Sequence, residues 1–174
     1  MEAIQRRKAI IDLIETTGAG DKPLSATAIS KALGVSRQVI VGDVALLRAS
    51  GYNIIATARG YMLPHQASGN QYVGKIACKH LPEQTEQELL VMVGQGAIVN
   101  DVIVAHEVYG DITGQLELKT AQDVQSFMNK LRESQAGLLS QLTDGVHLHT
   151  ITCRDEQHFE QVREALGVHG FLLT

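Results

Sequence analysis

PLSATAISKALGVSRQVIVGDVALLRASGYNIIATARGYML, residues 23–63, reads as two short helices, a tight turn between them and a closing hairpin. Ser25 is placed to cap the first of these helices, which runs to about Leu33. Gly34 supplies a left-handed turn. Ser36 then caps a second helix from about Arg37, in which Ile40, Val44 and Leu47 recur at the spacing of one helical face. That helix stops at Gly51, and residues 52–63 predict two short strands around a turn at Arg59-Gly60. Upstream, residues 2–16 predict another helix, with Ile4, Ile11 and Ile14 on one stripe and Gly18 beyond its end. Three helices and a hairpin in this order make a winged helix-turn-helix, a unit that grips DNA and also occurs as a plain packing module.

The chemistry along it favours DNA. Ser36 directs the first amides of its helix, and their positive dipole end, toward phosphate. Arg37 and Gln38 fall on the first turn, within reach of base edges in the major groove, where Arg pairs with guanine and Gln with adenine. Val41 lies one turn further on. Gly42 leaves room for a close approach of backbones, and Arg59 at the hairpin tip reaches phosphates or the adjacent minor groove. Charge agrees. Residues 1–65 hold eight Lys/Arg against five Asp/Glu, whereas residues 66–174 hold seven against fourteen. A basic head on an acidic body points the head at a polyanion.

The chain has 174 residues, 44% of them hydrophobic and 20% charged, which allows two small packed domains and argues against long disorder. With aromatics at 4% the core must be aliphatic. No apolar run approaches the ~18 residues of a membrane helix. The opening MEAIQRRKAI lacks the apolar region of a signal peptide, so a cytoplasmic location is expected. Cys78 and Cys153 form no CxxC pair and are expected as free thiols.

A polar stretch at 64–71 places a domain boundary, dividing the chain into 1–65 and 72–174. The second part predicts strands at 72–79, 97–106, 113–118, 146–153 and 169–174. Helices are predicted at 82–95, 120–141 and 155–166. The fold class is therefore α+β, a sheet with helices packed on it. In Val146-His147-Leu148-His149-Thr150 the two imidazoles fall on one side of a strand and can converge on a divalent metal such as zinc, nickel, iron or copper. An exposed polar face holds such a pair just as readily. His80 at a strand end and Glu88 inside the following helix can complete a site of three imidazoles and one carboxylate. Glu83 and Glu86 read as solvated. His158 and His169 read as surface residues.

The string VSRQVIVGDVALLRASGYNIIATARGY, residues 35–61, closely resembles the helix-turn-helix of bacterial niacin-responsive transcriptional repressors. In that family the module precedes a three-histidine (3H) domain, a small α+β regulatory domain, and the resemblance covers essentially the whole chain. It implies that His80, Glu88, His147 and His149 ligate a divalent transition metal, nickel, zinc or iron. It implies a nicotinic acid ligand, with His106 and Tyr109 lining a pocket for the pyridine ring, although His106 also reads as a turn-stabilising histidine. Lys79 or Arg154 can pair with the ligand carboxylate if either points inward. A homodimer on double-stranded operator DNA is implied, controlling genes of niacin uptake or NAD synthesis. Val124, Phe127, Met128 and Leu131 form an apolar stripe that suits either a dimer surface or packing on the sheet. The alternative is a metal-dependent hydrolase with an accessory helix-turn-helix head. No HExxH motif, nucleophile elbow or phosphate loop supports it, so a non-enzymatic protein is expected.

Overall fold

The computed structural model describes residues 2–18, 22–64 and 69–174. Residues 65–68 of the linker expected at 64–71, His65 among them, lie outside the described residues. The chain divides into two compact units, residues 1–66 and 67–174. Among the described residues no helix is long and apolar enough to cross a membrane.

The first unit holds α1 (Ala3–Gly18), α2 (Ala26–Leu33), α3 (Arg37–Ala49), β1 (Ile55–Thr57) and β2 (Gly60–Met62). The Ser25 hydroxyl accepts from Ala28 N–H at 3.1 Å and the Ser36 hydroxyl from Val39 N–H at 3.3 Å. Each such cap is worth about 1 kcal/mol. Gly34 turns between the helices with φ +65°. Ile10, Ile14, Ile29, Ile40, Val44 and Leu47 close the core. Ile4 is exposed instead of joining Ile14. At 100° per residue the ten-residue gap leaves Ile4 about 80° off the stripe, which Ile10 fills.

Asp43 is buried on α3, with Arg6 Nε at 2.5 Å and Arg7 at 3.6 Å from its carboxylate. Two of the basic residues counted toward the polyanion therefore neutralise a carboxylate at the α1–α3 contact. β1 pairs antiparallel with β2, and Leu24 exchanges backbone hydrogen bonds with Tyr61 in a single bridge beside the hairpin. Gly60 is required there: a Cβ would fall 2.6 Å from the Leu24 carbonyl carbon.

The second unit runs β3 (Tyr72–Lys79), α4 (Thr85–Gly94), β4 (Ile98–His106), β5 (Gly110–Leu118), α5 (Ala121–Ser134), β6 (Val146–Cys153) and α6 (Glu156–Val168). The four strands form one antiparallel sheet in the order β3-β6-β4-β5. Burial alternates strictly along β6, with His147, His149, Ile151 and Cys153 inward. α4 and α6 pack on that inward face, Phe159 of α6 so close to Gly74 that a Cβ there would fall 2.5 Å from its ring. An antiparallel sheet covered on one side only is a stable arrangement.

Three expectations about elements change. The helix expected over 82–95 opens as a 3-10 turn, Pro82–Gln84, before α4 begins. The helix expected over 120–141 stops at Ser134, because Gln135 takes a left-handed conformation, φ +55°, and a separate 3-10 turn, Leu139–Thr143, follows. The final strand over 169–174 is reduced to a single bridge from Leu172 to Cys78. Val124 is buried, while Phe127, Met128 and Leu131 are half-buried on α5, which packs against α4.

Candidate metal centre and nucleic-acid interface

The register of β3 and β6 sets Cys78 opposite His147 and Ile76 opposite His149, so both imidazoles of β6 rise on the inward face. His80 follows β3 directly, and Glu88 comes down from α4, 1% exposed. The four side chains meet. Glu88 Oε2 lies 2.5 Å from His80 Nε2, and Glu88 Oε1 lies 2.9 Å from His147 Nε2 and 3.2 Å from His149 Nε2. The His147 ring is 4.9 Å from that of His80 and 4.8 Å from that of His149, edge to face in both cases.

The other nitrogen of each ring determines the tautomer. His80 Nδ1–H donates to the Leu81 carbonyl at 2.8 Å, His147 Nδ1–H to the Gly145 carbonyl at 2.8 Å and His149 Nδ1–H to the Asp101 carbonyl at 2.7 Å. A carbonyl oxygen only accepts, so the proton of each neutral ring sits on Nδ1 and its Nε2 presents a lone pair. Three lone pairs then converge on an ionised carboxylate that has no proton to give. His149 Nε2 makes no hydrogen bond at all, although it is fully buried. Protonation of the rings relieves this meeting of acceptors, and so does a shared cation. Imidazoles tied through Nδ1 to backbone carbonyls, with a carboxylate beside them, are the arrangement that first-row divalent metals favour. The residues present therefore fit such an ion.

Without an ion, the electrostatics favour positive charge on His80 and His149. Burial opposes ionisation of Glu88, but the charge of His149 and the contacts of His147 and His80 outweigh it and hold the carboxyl far below the usual carboxylate range. Burial likewise disfavours charge on His80 and His149, yet Glu88 raises the pKa of both above its ordinary value. The Cys78 sulfur lies within 4.8 Å of ligand atoms of Glu88 and His147. Burial first, then the charge of Glu88, pushes its thiol pKa far up in the absence of an ion. Cys153, opposite Tyr72 at the other end of β6, is pushed up to about 11 by burial.

Gly145 makes the corner beneath the cluster. It has φ +87°, and a Cβ there would fall 2.4 Å from the His80 carbonyl oxygen. A cavity of about 300 Å³ opens beside His80, walled by Leu81, Pro82, Ser140, Gln141, Asp144 and Gly145. No lysine or arginine is among these residues.

The residues expected to bind the ligand fall elsewhere. His106 ends β4, and its Nδ1 accepts from Val108 N–H at 3.1 Å and Tyr109 N–H at 3.3 Å, the turn-stabilising arrangement. Tyr109 is 77% exposed beside it. Arg154 lies beyond the far end of β6, exposed and 3.1 Å from Asp155. Lys79 alternates onto the opposite face of the sheet from His80's partners, since its neighbour Cys78 faces inward. None of the four lines the cavity. His158 is buried instead of lying on the surface: its Nδ1 accepts from Arg154 N–H and its Nε2–H donates to the Gln95 carbonyl, tying α6 to the end of α4. The backbone acceptors at Leu81, Asp101 and Gly145 escape sequence reading, because every residue has a carbonyl. Only the Asp144-Gly145 pair carries a turn signal that marks its corner.

In the first unit Arg37 and Gln38 are exposed on the opening turn of α3. Val41 is half-buried on the flank of the helix, packed against the core. Gln38, Gly42 and Ala45 line the outward face, with Leu46 54% exposed beside it. Arg59 sits half-buried in the wing turn, its N–H bonded to Thr57 Oγ1 at 3.1 Å.

Residues 73–174 match the 3H domain family, and residues 6–62 match a helix-turn-helix (HTH) domain family. The chain is 44% identical over 153 residues to Transcription repressor NadR of Bacillus subtilis, covering 87% of this chain and 85% of that protein. It is 41% identical over 169 residues to Probable transcription repressor NiaR of Thermotoga maritima, covering 97% of this chain and 94% of that protein.

Proposed function

The chain belongs to the family of transcription repressors that join a helix-turn-helix to a 3H domain, and on that premise we propose that it binds operator DNA in response to nicotinic acid, with a divalent metal as the second unit's cofactor. Its relatives are named as repressors, so it is a DNA-binding repressor and the hydrolase alternative falls. The genes controlled are those of niacin uptake or NAD synthesis.

One observation carries the metal reading: three imidazoles, each fixed through Nδ1 to a backbone carbonyl, aim Nε2 at Glu88. His80, Glu88, His147 and His149 would hold the ion, and nickel, zinc and iron all accept this donor set. The bound ion supplies positive charge to an acidic ligand. That charge matters because the cavity beside His80 offers Asp144 and no lysine or arginine. Leu81 and Pro82 offer apolar surface to a pyridine ring. Nicotinate, a carboxylate, is then preferred over uncharged nicotinamide.

The regulatory link is a two-state equilibrium. Ligand acts only through different affinities for the DNA-competent and incompetent states. A homodimer sets two α3 helices one DNA turn apart, ~34 Å, in successive major grooves. Nicotinate is expected to tighten operator binding of metal-loaded protein by about 5- to 150-fold, the usual span of such coupling, with nicotinamide well behind. Fluorescence anisotropy with labelled operator reads this, and a binding curve indifferent to nicotinate overturns the ligand assignment.

A further inference from the structure

We infer that the helix-free face of the four-stranded sheet is the surface on which a second copy of this chain docks, β3 of each copy lying over β5 of the other; this rests on the homodimer proposed above.

The inward face of the sheet is occupied by α4, α6 and the cluster. The outward face carries no helix among the described residues. Its side chains follow from the register. One row runs Ala77, Leu148, Ile103, Thr113 across β3, β6, β4 and β5. Two residues along, Lys79 stands beside Val146 and Ala105 beside Asp111, so a lysine and an aspartate close opposite ends of the neighbouring row. Lys75 and Val73, the latter 55% exposed, continue the β3 edge. On the two middle strands Val146, Leu148, Ile103 and Ala105 are aliphatic while Thr150, Thr152 and Asp101 are polar, with Lys75 and Lys79 on the β3 edge and Asp111 on the β5 edge.

That pattern is self-complementary in one orientation. A two-fold axis lying between two such sheets and running along the strands carries β3 over the partner's β5. Lys79 then faces the partner's Asp111 on both sides, and Leu148 meets the partner's Ile103 between them. A two-fold running across the strands stacks lysine on lysine and aspartate on aspartate, which is repulsive. With strands ~4.8 Å apart and ~3.4 Å per residue, the face measures roughly 19 by 27 Å, so a stacked pair covers about 1,000 Å² in total, the lower size of a specific interface. The competing surface, the apolar stripe of α5, is already turned against α4, with Val124 fully buried and Arg132 reaching Glu86 at 3.3 Å.

Sedimentation equilibrium on the full, metal-loaded chain tests this. The wild type is expected to be a dimer. Lys79→Glu and Asp111→Lys are each expected to raise the dimer dissociation constant about tenfold or more. Mixing the two variants is expected to restore wild-type association, because each reversed charge then meets its opposite across the pair; circular dichroism checks that both variants fold. Single variants that associate like the wild type, or a mixture that stays loosened, overturn the surface while leaving the dimer standing. A wild type that is monomeric at every concentration overturns both.

Discussion

Replacing His147 and His149 together by alanine leaves the protein with about a tenth or less of the wild-type bound metal. Two of the four converging donors go, and with them the rings that β6 delivers to one face. His80 and Glu88 remain in contact at 2.5 Å, but a pair of ligands holds a divalent ion weakly. Losing even an outer partner of a metal ligand lowers affinity by about 10- to 100-fold, so the loss of two direct ligands lies at or beyond that range. Both histidines are 3% exposed, so their truncation also leaves space in the core, and circular dichroism must show the double variant folded. Elemental analysis of purified protein gives the readout, and wild-type metal content in a folded variant rejects the site. Operator binding in the absence of nicotinate should persist, because α3 belongs to the other unit.

Arg37→Ala combined with Gln38→Ala shows the converse. Both side chains project from the first turn of α3, where Ser36 caps the helix. A good bidentate base contact is worth about 1–3 kcal/mol, so removing both lowers specific affinity by about 30-fold or more. Binding to random DNA falls less, since it rests on phosphate contacts made by many groups. Metal content stays at the wild-type level. A gel shift comparing operator with random sequence measures the effect, and equal operator affinity removes these residues from the interface.

Local rules made much of this molecule legible. Ser25, Gly34 and Ser36 announce two capped helices because capping is decided within three or four residues. The alternation of Val146–Thr150 announces both imidazoles on one face because a strand has a period of two. The distances that bring Glu88 to three histidines are not local, and only the residue types hinted at them. What stayed hidden depends on partners far along the chain. Arg6 and Arg7 counted as DNA-facing charge until Asp43 met them across the α1–α3 contact. His158 passed for a surface residue because nothing nearby in sequence reveals the Gln95 carbonyl that receives its proton. Arg154 was a plausible carboxylate partner by type, yet it stands beyond the opposite end of β6 from the cluster.

On this reading an ion in the second unit couples nicotinate to the grip of the first on DNA. One measurement reaches it directly: operator affinity against nicotinate concentration, taken on metal-loaded protein, on the same protein stripped with a chelator, and after reloading. Tightening is expected in the first, a flat response in the second and recovery in the third. Tightening that survives complete removal of the metal would contradict it.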